Sequence, residues 1–315
     1  MVQRQEFRFD SRDMKNRNYA VKFVPERRKK ACLIVAHGMG EHFGRYYEMA
    51  EFLAEQGIVV AGADMLGHGR TVADEKDFGY FCEQDPATVV VRDVHRLKKM
   101  IQQENPDLPI FVMGHSMGSF VIRNYIEMYG SGINGAILMG TGTFPASSII
   151  IGRRFVKLLR RIHGGRFISK PLAYHSTGKY RKKSPDGKES PYEWGCSRPE
   201  IRALNDADPL QGHSFTLNGY ETLFDLVERS QDKERMAKIP KDLPLFIISG
   251  DGDPVGDFGK GVIAAADSYR KIGMTNVTMK IYQNDRHELY LEKDRFDIMM
   301  DIMNFFRKCY ITEKM

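Results

Sequence analysis

With 315 residues, 42% of them hydrophobic and 11% aromatic, the chain is long enough for one large α/β domain, alone or carrying an insertion. It holds 47 Lys+Arg against 41 Asp+Glu, and the excess is local: residues 143–231 contain 15 basic and 9 acidic side chains, the remainder 32 of each. No apolar run could cross a bilayer and residues 1–6 lack the apolar core of a secretory signal; with Cys32, Cys82, Cys196 and Cys309 scattered without paired spacing, reduced thiols and a cytoplasmic location are expected.

Residues 6–9 and 19–23 read as two opening strands joined by a polar turn. Ala31–Ala36 is a continuous apolar run suited to a strand buried on both faces, and it ends in His37-Gly38-Met39-Gly40-Glu41-His42. A helix over 45–56 closes at Gly57. A second buried strand, 58–63, leads into the loop Asp64 to Arg70. Asp85-Pro86 predicts a helix start with a capping carboxylate, and Val90, Val94, Leu97 and Ile101 continue at helical spacing until Asn105-Pro106. The run 109–113 then reads as a strand, 119–128 as a helix, and 133–139 as a further strand. The order of strands and helices predicts a parallel, doubly wound α/β sheet.

The alternation breaks near Thr143. Residues 149–162 form an amphipathic basic pattern, with Ile151, Phe155, Leu158, Leu159 and Ile162 opposed by Arg153, Arg154, Lys157, Arg160 and Arg161. Its apolar side is expected to face the active site and its charged side the solvent; the alternative is an interfacial helix that meets anionic lipid. A polar, loop-like stretch, 176–190, carries Arg181-Lys182-Lys183, and helices are expected over 199–205 and 219–230. The sheet resumes at 243–249, followed by a helix over 261–272, the strand Val277–Tyr282 and a last helix over 295–306. The predicted division is therefore a core of residues 1–142 and 232–315, with about eight strands, and a helical insertion at 143–231.

Gly114-His115-Ser116-Met117-Gly118 lies between the 109–113 strand and the helix after it, the context of a G-x-S-x-G nucleophile elbow. A serine hydroxyl needs a base, and the base needs an orienting acid, on loops after later strands. The loop after 243–249 offers Asp251, Asp253 and Asp257. Asp253 is preferred, because Asp251 adjoins the strand end, where turn roles are common. The loop after 277–282 offers His287. His115 adjoins the nucleophile and is expected to pack beneath it, while His163, His175 and His213 read as structural or solvated. His287-Glu288 begins H-E-x-x-H, but position 291 is Leu, so no zinc site is expected. Backbone N–H donors for an oxyanion would come from Met117 and from Met39 in the loop after the first buried strand. That loop lacks the lysine of a phosphate-binding loop, and no nucleic-acid motif accompanies the basic segment.

Together with Gly67-His68-Gly69-Arg70, Gly252-Asp253 and Arg286-His287-Glu288, these motifs resemble the α/β-hydrolase superfamily. Over its whole length the chain is similar to the monoacylglycerol lipase and lysophospholipase branch, and Ala207-Asp208-Pro209-Leu210 and Phe215-Thr216-Leu217-Asn218-Gly219 resemble its bacterial members. The resemblance implies Ser116, Asp253 and His287 as triad, Met39 and Met117 as oxyanion donors, and 143–231 as a cap holding substrate-binding residues. It implies hydrolysis of a lipid or small-molecule ester without cofactor or metal; peripheral membrane contact through the basic cap belongs to the alternative, interfacial reading of 149–162. Met39 stands where the lipases commonly carry a smaller residue, which would narrow the pocket. Short-chain carboxylesterase, thioesterase and peptidase activities share this chemistry. A binding protein on an inactive hydrolase fold is the reading from another class. An Asp-nucleophile branch is excluded by Ser116.

Overall fold

The computed structural model describes residues 1–176, 178, 180 and 193–312; Arg181-Lys182-Lys183 lies outside them. β1 (Val2–Asp10) and β2 (Arg17–Pro25) form an antiparallel ribbon, longer at both ends than the apolar pattern predicts because the edge strand β1 is largely solvent-facing. β3 (Ala31–Ala36) follows. A short 3-10 turn (Phe43–Tyr46) and α1 (Tyr47–Glu55) lead to β4 (Ile58–Ala63), and α2 (Pro86–Glu104) leads to β5 (Ile110–His115). After α3 (Met117–Tyr129) and β6 (Gly135–Met139) the chain leaves the sheet for α4 (Ala146–His163), α5 (Lys170–Ser176), α6 (Pro199–Ala207) and α7 (Leu217–Ser230). It returns through α8 (Lys233–Met236) to β7 (Leu245–Gly250), α9 (Lys260–Lys271), β8 (Val277–Tyr282) and α10 (Arg295–Thr312).

The eight strands form one sheet in the order β1-β2-β4-β3-β5-β6-β7-β8, antiparallel at β1/β2 and β2/β4 and parallel from β4 to β8. The strand period of two divides the core between the faces. Cys32, Ile34 and Ala36 of β3 join the layer under α2, α3, α7 and α9, while Ala31, Leu33 and Val35 join the layer under α1 and α10. Because β3 to β8 run parallel, the loops after them open at one edge of the sheet.

Two local expectations give way. Asp85 does not cap α2 with its side chain. It holds a left-handed backbone (φ 39°) and its carboxylate accepts from Arg229 at 2.9 Å. Helix α4 is turned differently from the expected arrangement. Arg153, Lys157 and Arg160 face α7, where Asp225 and Glu228 meet Arg153 at 2.6 Å and Glu221 meets Arg160 at 2.6 Å and Lys157 at 3.8 Å. Ile149, Val156 and Leu159 pack inward, and Ile151, Phe155, Leu158 and Ile162 are 52–68% exposed. The insertion is tied down at both ends by the fully buried Arg123 of α3, which donates to the carbonyls of Gly142 (2.8 Å) and Ser230 (3.0 Å) and to Tyr269 Oη (3.0 Å).

Candidate active site

Ser116 sits between β5 and α3 with φ 52° and ψ −120°, a conformation a non-glycine residue adopts only when its surroundings impose it. Here the surroundings do. Ser116 N–H donates to Met139 C=O of the neighbouring strand at 3.0 Å, and Ser119 N–H donates to Ser116 C=O at 2.9 Å. A Cβ on Gly114 would collide with the Gly118 carbonyl, and one on Gly118 with the carbonyls of Ala36 and His37. The two glycines therefore let strand, helix and the β3 loop converge on the serine.

The β7 and β8 loops bring Asp253 and His287 together, both buried. His287 Nδ1–H donates to Asp253 Oδ2 at 2.9 Å. Asp253 also accepts from Ser249 Oγ at 2.8 Å and from Val255 N–H at 2.8 Å. Burial would raise the Asp253 pKa, but the charge of His287 and these hydrogen bonds hold it below the usual carboxylate range. Burial would lower that of His287, but Asp253, with Glu288 and Glu41 beyond it, raises it above the ordinary imidazole value. His287 Nε2 is buried and has no hydrogen-bond partner among the described residues. Ser116 and His287 line the same cavity, of about 590 Å³, as do Met39 and Met117. Asp251 and Asp257 are exposed, and Asp251 accepts from Asn284 N–H at 2.8 Å, a turn role.

The β3 loop lies against the serine: an ideal Cβ on Gly38 would stand 3.2 Å from Ser116 Cβ. Burial pushes His37 down to about 4, so its ring is neutral; Nδ1–H donates to Gly38 C=O at 2.8 Å and Nε2 accepts from Met65 N–H at 2.9 Å. Met117 is the first residue of α3, where helix geometry leaves backbone N–H groups without an intrahelical acceptor.

The sequence motifs did not disclose what Glu41, Arg45 and Glu288 do together. Glu41 takes the Gly38 N–H and Tyr46 Oη (2.6 Å) on Oε1, and Arg45 (2.5 Å) and Tyr290 Oη (3.0 Å) on Oε2. Arg45 also reaches both carboxylate oxygens of Glu288, at 2.9 and 2.8 Å, and Asn205 Oδ1 at 2.9 Å. Burial would raise the Glu41 pKa, but Arg45 and His115 hold it well below the usual range. One buried guanidinium thus fastens the β3 loop, the residue after His287, and α6. His115 packs beneath the elbow as expected, and its Nε2–H donates to His287 C=O at 3.2 Å. Trp194, whose ring centroid is 5.1 Å from that of His287, also lines the cavity, as do His175 and His213, which the sequence reading set aside as structural or solvated. Among the described residues no cluster of side chains could hold a metal ion.

A family model described as serine aminopeptidase, S33, matches residues 27–294. A monoglyceride lipase of Mus musculus is 27% identical over 275 residues, 85% of this chain and 78% of that protein. A monoacylglycerol lipase of Mycolicibacterium smegmatis is 25% identical over 290 residues, 90% of each chain. Among solved structures, a thermostable carboxyl esterase from Bacillus coagulans in complex with glycerol aligns with a TM-score of 0.90 at 31% identity, over 97% of this chain and 98% of that one.

Proposed function

Because the chain belongs to the serine aminopeptidase S33 family of α/β-hydrolases, we propose that it is a carboxylic ester hydrolase that cleaves monoacylglycerols through an acyl-enzyme. The observation that carries this reading is the unpartnered His287 Nε2, in one cavity with a serine on a strained elbow. In this mechanism Ser116 Oγ attacks the ester carbonyl and its proton passes to His287 Nε2. Asp253 keeps Nδ1–H in place and stabilises the imidazolium. The Met39 and Met117 N–H groups take the oxyanion. His287 then protonates the leaving alcohol, and water, deprotonated by the same nitrogen, releases the fatty acid. Residues 143–231 act as the cap, whose α4 and α7 side chains give the cavity its apolar wall.

An ester fits better than a peptide with a free amino terminus. An aminopeptidase needs a carboxylate for the substrate ammonium, and Glu41 and Glu288, which line the cavity, are both committed to Arg45. A serine-directed fluorophosphonate is expected to form one adduct, located on Ser116 by peptide mass, with monoacylglycerol hydrolysis lost in proportion. A protein that neither labels nor turns over esters would overturn the reading.

The outer face of α4 supports contact with a lipid surface. Eight large apolar side chains exposed among the described residues fall within 150–174, and Arg154 and Arg161 stand exposed beside the 151–155–158–162 stripe without an ion pair among them. An apolar stripe edged by unpaired arginines suits an anionic interface. The protein is expected to co-sediment with phosphatidylglycerol vesicles and to be released by salt. Phe155→Ser/Leu158→Ser should weaken that partition by at least about tenfold, since each side chain contributes roughly 1 kcal/mol or more of apolar transfer. Equal sedimentation of the variant would remove α4 from the contact. The buried thiols of Cys32, Cys82 and Cys196 support a reducing, cytoplasmic setting, and no helix among the described residues is long and apolar enough to cross a membrane.

A further inference from the structure

Two segments from distant parts of the chain meet beside the nucleophile: the β3 loop, His37 to His42, and residues 205–213 of the insertion. The upstream half of the loop is held by the core. His37 Nδ1–H fixes the Gly38 C=O, and Glu41 fixes the Gly38 N–H. A trans peptide points its C=O and N–H to opposite sides, so the bond to the Gly38 carbonyl also sets the direction of the Met39 N–H. The downstream half is held by the insertion. Gly212 N–H donates to Gly40 C=O at 2.8 Å, and His42 Nε2–H donates to Asp208 Oδ2 at 2.7 Å. Gly40 has φ 66°, and a Cβ there would stand 3.2 Å from the His213 C=O, so a glycine lets the two backbones approach. Met39 is the residue between the two fixed ends.

The insertion reaches this contact already shaped. Asp208 ends α6 with an extended backbone (φ −80°, ψ 113°), the region favoured ahead of Pro209. Its Oδ1 accepts from Leu210 N–H at 2.9 Å and its C=O from Gln211 N–H at 3.1 Å, so one residue closes the turn with both side chain and backbone. That leaves Oδ2 for His42. The His42 ring is oriented in turn: Nδ1 accepts from Gly44 N–H at 3.1 Å, which places the ring proton on Nε2, facing the carboxylate. Burial would raise the Asp208 pKa, but the His42 and Leu210 hydrogen bonds hold it below the usual carboxylate range, so the acceptor is charged. The far end of the turn is fixed as well: His213 Nε2–H donates to Pro209 C=O at 2.8 Å, and its ring stacks on Phe78. Asp208 and His42 both lie outside the cavity lining, so they act on the site only through the loop.

Resting on the ester-hydrolase reading with Met39 as an oxyanion donor, we propose that Asp208 is a positioning residue for the reaction: through His42 it locks the downstream end of the β3 loop, so that the Met39 N–H meets the oxyanion without the loop having to reorganise. The insertion thereby contributes to transition-state stabilisation as well as to the cavity wall.

The test compares wild type, Asp208→Asn and Asp208→Ala in kcat and KM for 1-decanoylglycerol and in Ki for 1,1,1-trifluoroundecan-2-one. Ser116 Oγ adds to the ketone carbonyl, its proton passes to His287 Nε2, and the hemiketal oxygen becomes the oxyanion. Asparagine keeps an acceptor for the Leu210 turn but has no second oxygen for His42, so this variant should fold as wild type does, with Tm as the check. Both variants should lose about tenfold in kcat, part of the roughly 10²–10³ that removing an oxyanion donor costs, with Ki for the ketone raised by the same factor and KM within about twofold of wild type. The end point of fluorophosphonate labelling, which is independent of its rate, counts competent sites and corrects kcat for unfolded protein. Unchanged kcat in Asp208→Asn, or a fall in kcat with Ki unchanged, would overturn the assignment and leave the hydrolase reading standing. Wild type that binds the trifluoromethyl ketone no more tightly than undecan-2-one would remove the oxyanion site itself. Wild type inactive on the ester would remove the hydrolase reading and this inference together.

Discussion

Asp253→Asn is expected to lower kcat by about 10⁴, while Asp251→Asn and Asp257→Asn stay within about threefold of wild type on the same ester. The asymmetry follows from what each carboxylate touches. Asp253 is fully buried and accepts from His287 Nδ1–H, so an amide there can present its NH2 group to the ring and favour the tautomer that carries the proton on Nε2. In that tautomer the ring cannot accept the Ser116 proton. Asp251 spends its carboxylate on Asn284 N–H in an exposed turn, and Asp257 is exposed. The pH profile gives a second readout. The His287 pKa is raised because Asp253 outweighs burial, so wild-type kcat/KM should rise with pH through a value above that of an ordinary histidine. Removing the carboxylate leaves burial dominant, and the residual activity of Asp253→Asn should have its acid limb at lower pH. An unchanged limb, or a loss at Asp251 as large as at Asp253, would reassign the acid.

Ser116, Asp253 and His287 could be proposed from the chain alone because each sits in the loop after an apolar run, and parallel strands carry such loops to one edge of the sheet. The acid was the least determined of the three: Asp251 and Asp253 lie two residues apart, and only the fold distinguishes the one facing His287 from the one closing a turn. The arrangement of α4 was harder. Its own pattern contains two apolar stripes and a basic one, and nothing within the helix says which is buried. The partner does: Glu221, Asp225 and Glu228 on α7 repeat the spacing of Arg153, Lys157 and Arg160, and the two rows meet antiparallel. That complementarity was present in the sequence, but using it required knowing that α4 and α7 are neighbours.

Arg45→Met is expected to destabilise the protein by about 3–5 kcal/mol, the usual cost of removing one partner from a buried ion pair, and the loss should be pH-dependent. Arg45 is fully committed between two carboxylates that are themselves almost inaccessible, with side chains 4% exposed at Glu41 and 8% at Glu288. In wild type the Glu41 pKa is depressed. Its stabilising contribution is therefore complete above the unfolded glutamate value, about 4.3, and is lost only as pH falls through the lower folded value. Without the guanidinium, burial is the largest influence left and acts in the opposite direction. The folded pKa then lies above the unfolded one, and the penalty is present at high pH and relieved as pH falls through the raised value. The gap in Tm between wild type and Arg45→Met should accordingly be widest near pH 8 and narrow toward pH 5. Adding Glu288→Gln should recover part of it by removing one uncompensated charge. Calorimetry across that range decides the matter: a gap independent of pH would mean that Arg45 acts through packing, and that the charge of Glu41 does not depend on it. Activity should follow stability in this variant. The carboxylate that loses its partner is the one holding the Gly38 N–H, and with it the loop proposed to present the Met39 N–H to the oxyanion.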